Sequence, residues 1–330
     1  LQTTAIVFTQ PFGFALRSVE LAPVQDEDVV VDVAWTGISS GTERLLWSGR
    51  MPAFPGMGYP LVPGYESVGR VAAAGRAASK RIGDLVFVPG ASCFRDVRPL
   101  FGGAAARLVI PSDRAIAISE DLSDRGVLLA LAATALHAVR AAGETLPDLI
   151  VGHGALGRLM ARIVVACGGL PVVWEIEPAR RDGAVGYTVI DPGADGRRNY
   201  ATIADASGAE GLLDSLIARL APGGQIVLAG FYSNPLSFSF PPAFMREARI
   251  TVAAQWQPAD LIDVAAWVAS GRLSLDGIIT DHRPAESAAA AYERAFSDPR
   301  CLKMALDWAG ISREPIPGAR SHSLPDTLKE

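Results

Sequence analysis

Between positions 1 and about 121 the chain alternates apolar and polar residues in short runs, "TAIVF", "DVVVDVAW", "SVGRVAAAG", "DLVFVP" and "AARLVI", separated by Gly and Pro. Alternation with period two and closely spaced turns predicts a β-rich, barrel-like unit. One segment resists that pattern. "RLLWSGRMPAFPGMGYPLVPG" is too interrupted for a helix and too apolar for a solvated loop, so it either packs on its own domain or lines a greasy pocket. From about Asp124 the period lengthens: "DRGVLLALAATALHAVRAAG" has helical apolar spacing and ends on glycine. Strand-like runs then recur ("DLIVGHG", "PVVWE", "YTVID", "YATIADASG", "GGQIVLAGFY", "ITVAAQW"), with helical stretches through Cys167 and at "EGLLDSLIARL". Such alternation predicts a parallel sheet covered by helices on both faces. An alanine-rich helix, "AESAAAAYERAFSD", and the strand-like "CLKMALDW" follow. The stretch from Ile311 onward has three prolines and no periodicity, which predicts a mobile tail.

Composition narrows the class. At 330 residues the chain is too long for one ordinary core, and two domains are expected. Apolar residues make up 49% and charged residues 20%, with a net charge of −5, the profile of a soluble globular enzyme. There is no basic stripe, so a nucleic-acid partner is not expected. The longest apolar region, 146–174, is interrupted by His153, Arg158 and Arg162 and falls short of the ~20 uninterrupted residues of a membrane span. Cys93, Cys167 and Cys301 form no CxxC or metal spacing, consistent with reduced thiols in a cytoplasmic protein.

Chemistry enters with "LIVGHGALGRLMARIVVACGG", where Gly152, Gly154 and Gly157 form GxGxxG between an apolar strand and a helix. The first glycine serves the tight turn, the second admits a pyrophosphate, and the third lets helix and strand approach. Ala155 and Leu156 open the helix whose N-terminus faces the phosphates. Glu175, eighteen residues beyond Gly157 at the end of the next strand, is placed to accept from ribose hydroxyls and to repel a 2′-phosphate. The expectation is NAD, although Arg180 and Arg181 follow closely and an arginine there can hold a 2′-phosphate. Ser207 and Gly230, near the ends of later strands, complete the expected cofactor set.

A β-rich first half, a Rossmann unit and a chain that returns to the first domain resemble the medium-chain dehydrogenase/reductase superfamily. "TGISSGTE", "VPGYESVGRV", "IGDLVFVPG" and "LAATALHAV" stand where that superfamily has its first metal-ligand loop, its Gly-His-Glu segment, its Gly-Asp-x-Val strand and the helix with a nicotinamide-contacting threonine, here Thr134. The resemblance implies a GroES-like catalytic domain of residues 1–121 and 278–330, and a Rossmann NAD-binding domain of residues 122–277. Where zinc members carry Cys, His and Cys or Asp, this chain has Ser39, Tyr65 and Ala130. A hydroxyl, a phenol and a methyl group do not make a catalytic zinc site, so no metal is expected.

"GTERLLWSGRMPAFPGMGYPLVPGYESVGRV" and "GFYSNPLSFSFPPAFMREARITVAAQWQPAD" narrow the likeness to the bacteriochlorophyllide a dehydrogenase family. That resemblance implies NAD-dependent oxidation of a 3-(1-hydroxyethyl) group on a tetrapyrrole to 3-acetyl. It also implies a homodimer in the cytoplasm or at the periphery of the photosynthetic membrane. Without zinc, Ser39, Tyr65, Glu66, Thr42 and His137 are the candidates for handling the hydroxyl proton, with Glu66 either an anchor or a base. Trp47, Met51, Phe54, Met57 and Trp256 are candidates for lining a tetrapyrrole cleft, against ordinary core packing for each. Two other readings stand beside this one: a metal-free NAD(P)H enone or quinone reductase, and a non-catalytic pigment carrier.

Overall fold

The structure, a computed structural model, describes residues 1–316. Its first unit is built around the strand Asp28–Ile38, whose valine run is buried in the core and with which three strands pair. These are Ser67–Ala74 and Arg107–Pro111, both antiparallel, and Met304–Asp307, which comes from the far end of the chain. Leu85–Val88, Ile116–Ala117 and Asp281–Pro284 complete a seven-stranded sheet. Its core gathers Phe8, Val30, Leu61, Leu108 and Trp308 with Tyr292 and Ala291 of the helix Ala288–Ser297. The first unit therefore depends on residues from both ends of the sequence.

The expected parallel sheet is present. Six strands run in the order Thr188–Ile190, Val172–Trp174, Leu149–Val151, Tyr200–Asp205, Leu220–Leu228, Arg249–Val252, with every neighbouring pair parallel. The order reverses between Leu149–Val151 and Tyr200–Asp205, the switch point beyond whose carboxyl ends such sheets bind ligands. One face is covered by the helices Leu129–Ala141, Ala155–Ala166 and Pro258–Ala269, and the other by Leu213–Ile217. The alanines at positions 130, 132, 133, 135 and 138 are all buried, which lets Leu129–Ala141 pack closely on its neighbours. One stretch, Glu120–Ala141, is long and apolar enough to cross a membrane. It is 67% buried inside the protein, and Ser123 breaks its helical geometry.

Two expectations need correction. The segment from Arg44 to Ser48 is helical after all, as part of the helix Ser40–Ser48. Leu46 faces the core, and Gly49 at φ +70° ends the helix with its N–H directed to Leu45 and Leu46 carbonyls. The Gly/Pro run beyond Gly49 had concealed this short helix of about two and a half turns. The start of the expected mobile tail is held down. Arg313 donates to the carbonyls of Ala106 and Trp308, Arg107 donates to that of Glu314, and Ile311 and Ile316 pack on the core. Residues 317–330 of that tail lie outside the described residues.

Candidate active site

The glycine loop lies at the carboxyl end of Leu149–Val151, at the switch point. Gly152 has φ +97°, a conformation other residues adopt only with strain. A Cβ on Gly157 would lie 1.8 Å from the Gly152 carbonyl oxygen, so only glycine lets this helix start so close to the strand end. A Cβ on Gly154 would meet nothing within 4 Å. That open space lies at the N-terminus of the twelve-residue helix Ala155–Ala166, the cradle a dinucleotide's pyrophosphate requires. Ser207 borders the same turn, its Cα 3.2 Å from a Cβ built on Gly152, and its N–H and O–H both donate to Asp205. The Gly230 N–H donates to the Asp205 carbonyl.

Glu175 ends the neighbouring strand and is buried. Its carboxylate accepts the His153 N–H at 2.8 Å and the Glu177 N–H at 2.8 Å, so it stiffens the glycine loop. His153 was not anticipated. Its Nδ1 lies 2.6 Å from the Arg180 carbonyl, which can only accept, so Nδ1 carries the proton and Nε2 accepts from Tyr187 at 2.8 Å. Burial pushes its pKa down to about 4, which keeps the ring neutral. Of the arginines beyond Glu175, Arg180 donates through Nε to the Pro299 carbonyl at 2.5 Å, and Arg181 pairs with Asp191 at 2.5 Å. The residues present fit a nicotinamide dinucleotide.

The second group of residues is on the barrel unit. Ser39 immediately precedes the helix Ser40–Ser48, and its hydroxyl hydrogen-bonds to the phenol of Tyr65. Thr42, one turn on, reaches the same phenol at 3.5 Å. Tyr65 also meets Phe101 edge-on at 5.4 Å. Its pKa is raised well above the ordinary phenol value, first by desolvation and then by the adjacent Glu66 charge. The phenol therefore stays protonated at neutral pH. Glu66 turns the other way and is fully buried, against Lys303 Nζ, yet neither of its oxygens has an aligned hydrogen-bond donor. A Cβ on Gly37 would lie 2.2 Å from Glu66 Oε2, so that glycine makes room for the carboxylate.

Other expected residues go elsewhere. His137 is tied to Asp260 through Nδ1 at 2.9 Å, where Arg140 also bonds, and none of its hydrogen bonds reaches Ser39, Thr42 or Tyr65. It is a helix-packing residue, not a member of the hydroxyl group. Thr134 donates to its own helix at the Ala130 carbonyl, 3.0 Å away. Trp47 packs edge-on to Phe12 at 4.8 Å and against Phe296 at 5.7 Å. Met51 is buried in the barrel core, and Met57 packs on it. For these three the core-packing alternative describes their contacts. Phe54 is exposed, while Trp256 and Tyr65 pack against the same helix-side cluster. Among the described residues no group of three or more His, Cys, Asp or Glu could hold a metal.

Residues 25–120 match the alcohol dehydrogenase GroES-like domain. The 2-desacetyl-2-hydroxyethyl bacteriochlorophyllide A dehydrogenase of Rhodobacter capsulatus is 55% identical over 310 residues, covering 93% of this chain and 99% of that protein. The chain belongs to the bacteriochlorophyllide a dehydrogenase family. A second family member, from Cereibacter sphaeroides, is 54% identical over 93% of this chain and 99% of its own length. Solved structures agree on the medium-chain dehydrogenase fold. An Escherichia coli CFT073 alcohol dehydrogenase complexed with NADH gives a TM-score of 0.79 at 20% identity, covering 93% of this chain and 99% of that one. A Sinorhizobium meliloti dehydrogenase bound to NADP gives 0.78, with the same identity and coverage. Within this bacteriochlorophyllide a dehydrogenase family member, sequence reasoning missed Glu43, Tyr292 and Lys303 behind the hydroxyl group. Glu43 stands four residues after Ser39 on one helix face, a spacing that was legible; Tyr292 and Lys303 arrive from the returning chain and left no local signal.

Proposed function

We propose that this protein oxidises the hydroxyethyl side chain of a bacteriochlorophyllide to an acetyl group with NAD, without zinc. The observation that carries this reading is near end-to-end identity of 55% with a dehydrogenase of that name, together with an intact dinucleotide cradle. A pigment carrier has no use for such a cradle, and an enone reductase of the NADPH type has no use for Glu175. When bound at the glycine loop, NAD would accept the hydride from the carbinol carbon, and the hydroxyl proton would pass through the hydroxyls of Ser39, Tyr65 and Thr42 to water. The protein's own residues hold the carbinol in place: the Ser39 hydroxyl and the Tyr65 phenol, already bonded to each other, offer a donor and an acceptor to the substrate hydroxyl. Tyr65 works as a neutral phenol, because its raised pKa disfavours a phenolate base. Glu66, paired with Lys303, is an anchor and takes no proton from substrate.

NAD is favoured over NADP because Glu175 faces the ribose position while Arg180 and Arg181 are engaged with Pro299 and Asp191. The same proposal takes residues 1–121 with the returning chain from 278 as the catalytic domain and 122–277 as the cofactor domain. It places the protein in the cytoplasm, where reduced NAD is recycled and thiols stay reduced. We also propose a homodimer through the free edge of Arg249–Val252. Beside that edge, a groove of about 620 Å³ is lined by Phe238, Phe240, Phe244 and Met245, and Val252 is exposed. A Val252→Asp variant that sediments like the wild type would refute that interface. The reaction itself is tested by mass spectrometry after incubation with NAD and the hydroxyethyl pigment: the product must be lighter by two hydrogens. Recovery of unchanged pigment from a mixture in which both ligands bind overturns the assignment.

A further inference from the structure

Behind the Ser39–Tyr65 pair lies a buried carboxyl that the reaction as described does not use. Glu43 is 1% exposed and sits on the first turn of the helix Ser40–Ser48. Oε1 accepts the backbone N–H of Ser39 at 2.8 Å, and Oε2 accepts the hydroxyl of Tyr292 at 2.6 Å. Tyr292 belongs to the helix Ala288–Ser297, is itself buried, and closes the link between the first helix and the returning chain.

The arrangement reverses ordinary capping. A serine at this position normally turns its hydroxyl onto the N–H groups of its own helix. Ser39 makes no such bond; its hydroxyl is directed to Tyr65 instead. What fixes the Ser39 backbone is then the Glu43 carboxylate behind it, which takes the N–H and leaves the side chain free. A carboxylate accepting two donors is a stronger and more directional hold than a neutral group of the same shape.

We propose that Glu43 is the positioning residue of this site: held by Tyr292, it fixes the Ser39 backbone so that the serine hydroxyl and the Tyr65 phenol stay aligned for the substrate hydroxyl. The proposal rests on the Ser39–Tyr65 pair being the site where the carbinol binds. The charged and titratable groups facing Glu43 are Tyr292 from its helix, Glu66 and Tyr65 from the segment preceding Ser67–Ala74, and Lys303 from the segment preceding Met304–Asp307. Burial, reinforced by Glu66 and opposed by Tyr292, Ser39 and Lys303, raises the Glu43 pKa to about 7. Protonation makes one oxygen a donor and weakens the hold, so turnover declines as pH falls through that value.

The test compares wild type, Glu43→Gln and Tyr292→Phe, measuring kcat and KM against pH with NAD and the hydroxyethyl pigment. Wild type should lose kcat below about pH 7. Glu43→Gln should lower the alkaline kcat about tenfold or more, the scale of one charge-assisted hydrogen bond, with the KM for NAD unchanged and the acid limb gone. Tyr292→Phe removes a donor that favours the charged carboxylate, so its acid limb should move to higher pH. An acid limb that persists in Glu43→Gln, or moves to lower pH in Tyr292→Phe, overturns the proposal. If Glu43→Gln does not fold, the direction of the Tyr292→Phe shift decides. If wild type does not turn over the pigment, the functional reading fails instead. The positioning claim is then decided by the infrared carbonyl band of a protonated acid, which must titrate near neutrality in wild type and respond to Tyr292→Phe. A band absent throughout that range refutes it.

Discussion

Replacing Lys303 by Met removes the cation that faces Glu66. Both partners are almost fully buried, with side-chain exposures of 3% and 0%, and neither Glu66 oxygen has an aligned donor to take over. Breaking a pair buried to this degree costs about 3–5 kcal/mol, because the remaining carboxylate is stranded in a poorly solvating interior. Against a total stability of roughly 5–15 kcal/mol for a protein, that is a large share. The cost depends on pH, and its sign is fixed. Glu66 already has a raised pKa, first through burial, and Lys303 is what holds it down. Without Lys303 the pKa rises further, so the folded variant binds a proton that the unfolded chain has released. Stability of Lys303→Met therefore falls as pH rises above the unfolded carboxyl value of about 4.3. Urea denaturation followed by tryptophan fluorescence should show the full penalty at pH 8 and a smaller one at pH 5. Neutralising the stranded group with Glu66→Gln in the Lys303→Met background, a near-isosteric change in the tight space beside Gly37, should restore most of the loss at pH 8. A penalty under about 1 kcal/mol, or one equal at both pH values, would refute the account of Glu66 as a charged anchor.

Three further variants probe the cofactor and hydroxyl groups. Glu175→Gln keeps one acceptor for the loop N–H groups and removes the charge. A unit charge about 4 Å from a 2′-phosphate is worth about 4 kcal/mol at an effective dielectric of 20, so the NAD over NADP preference in kcat/KM should relax by up to about a thousandfold. An unchanged ratio contradicts the assignment. Gly154→Ala adds a methyl to open space and should leave the apoprotein's stability within about 0.5 kcal/mol while weakening NAD binding at least tenfold by titration calorimetry. Equal losses in both would mean the space is not a cofactor cradle. Tyr65→Phe should lower kcat about tenfold, the scale of one substrate hydrogen bond, with no change in the shape of the pH profile below 9, since the phenol is protonated throughout. Loss of an alkaline limb in that range would instead identify a phenolate base.

Much of the fold was written in local pattern. The strands around the glycine loop alternate with helices at spacings that a parallel, doubly covered sheet satisfies, and Gly152 and Gly157 meet the backbone and packing demands expected of them. The helix Ser40–Ser48 was harder to see, because its nine residues run straight into a Gly/Pro-rich segment whose breakers dominate any window that includes them. Ser39 and Tyr65 are 26 residues apart, and no periodicity joins them; family register brought them together, and the structure shows the bond. The supporting residues were out of reach for a different reason. Tyr292 meets Glu43 across 249 positions, and Lys303 reaches Glu66 only because the chain returns to pair with Asp28–Ile38. Long-range pairings of this kind are set by the seven-stranded sheet, which the sequence expresses only through the whole fold. His137 illustrates the converse: its residue type suited proton transfer, but Asp260 of a neighbouring helix holds its Nδ1, with Arg140 of its own helix on the same carboxylate.

The central claim is that this chain carries out the oxidation through hydroxyls and NAD, with no metal. The most direct measurement is an absorption time course of chelator-treated protein, its metal content assayed, with the hydroxyethyl bacteriochlorophyllide and either NAD or NADP. Converting hydroxyethyl to acetyl extends the conjugated ring, so the long-wavelength band should move to the red with NAD, and much more slowly with NADP. No shift until zinc is restored would contradict the account.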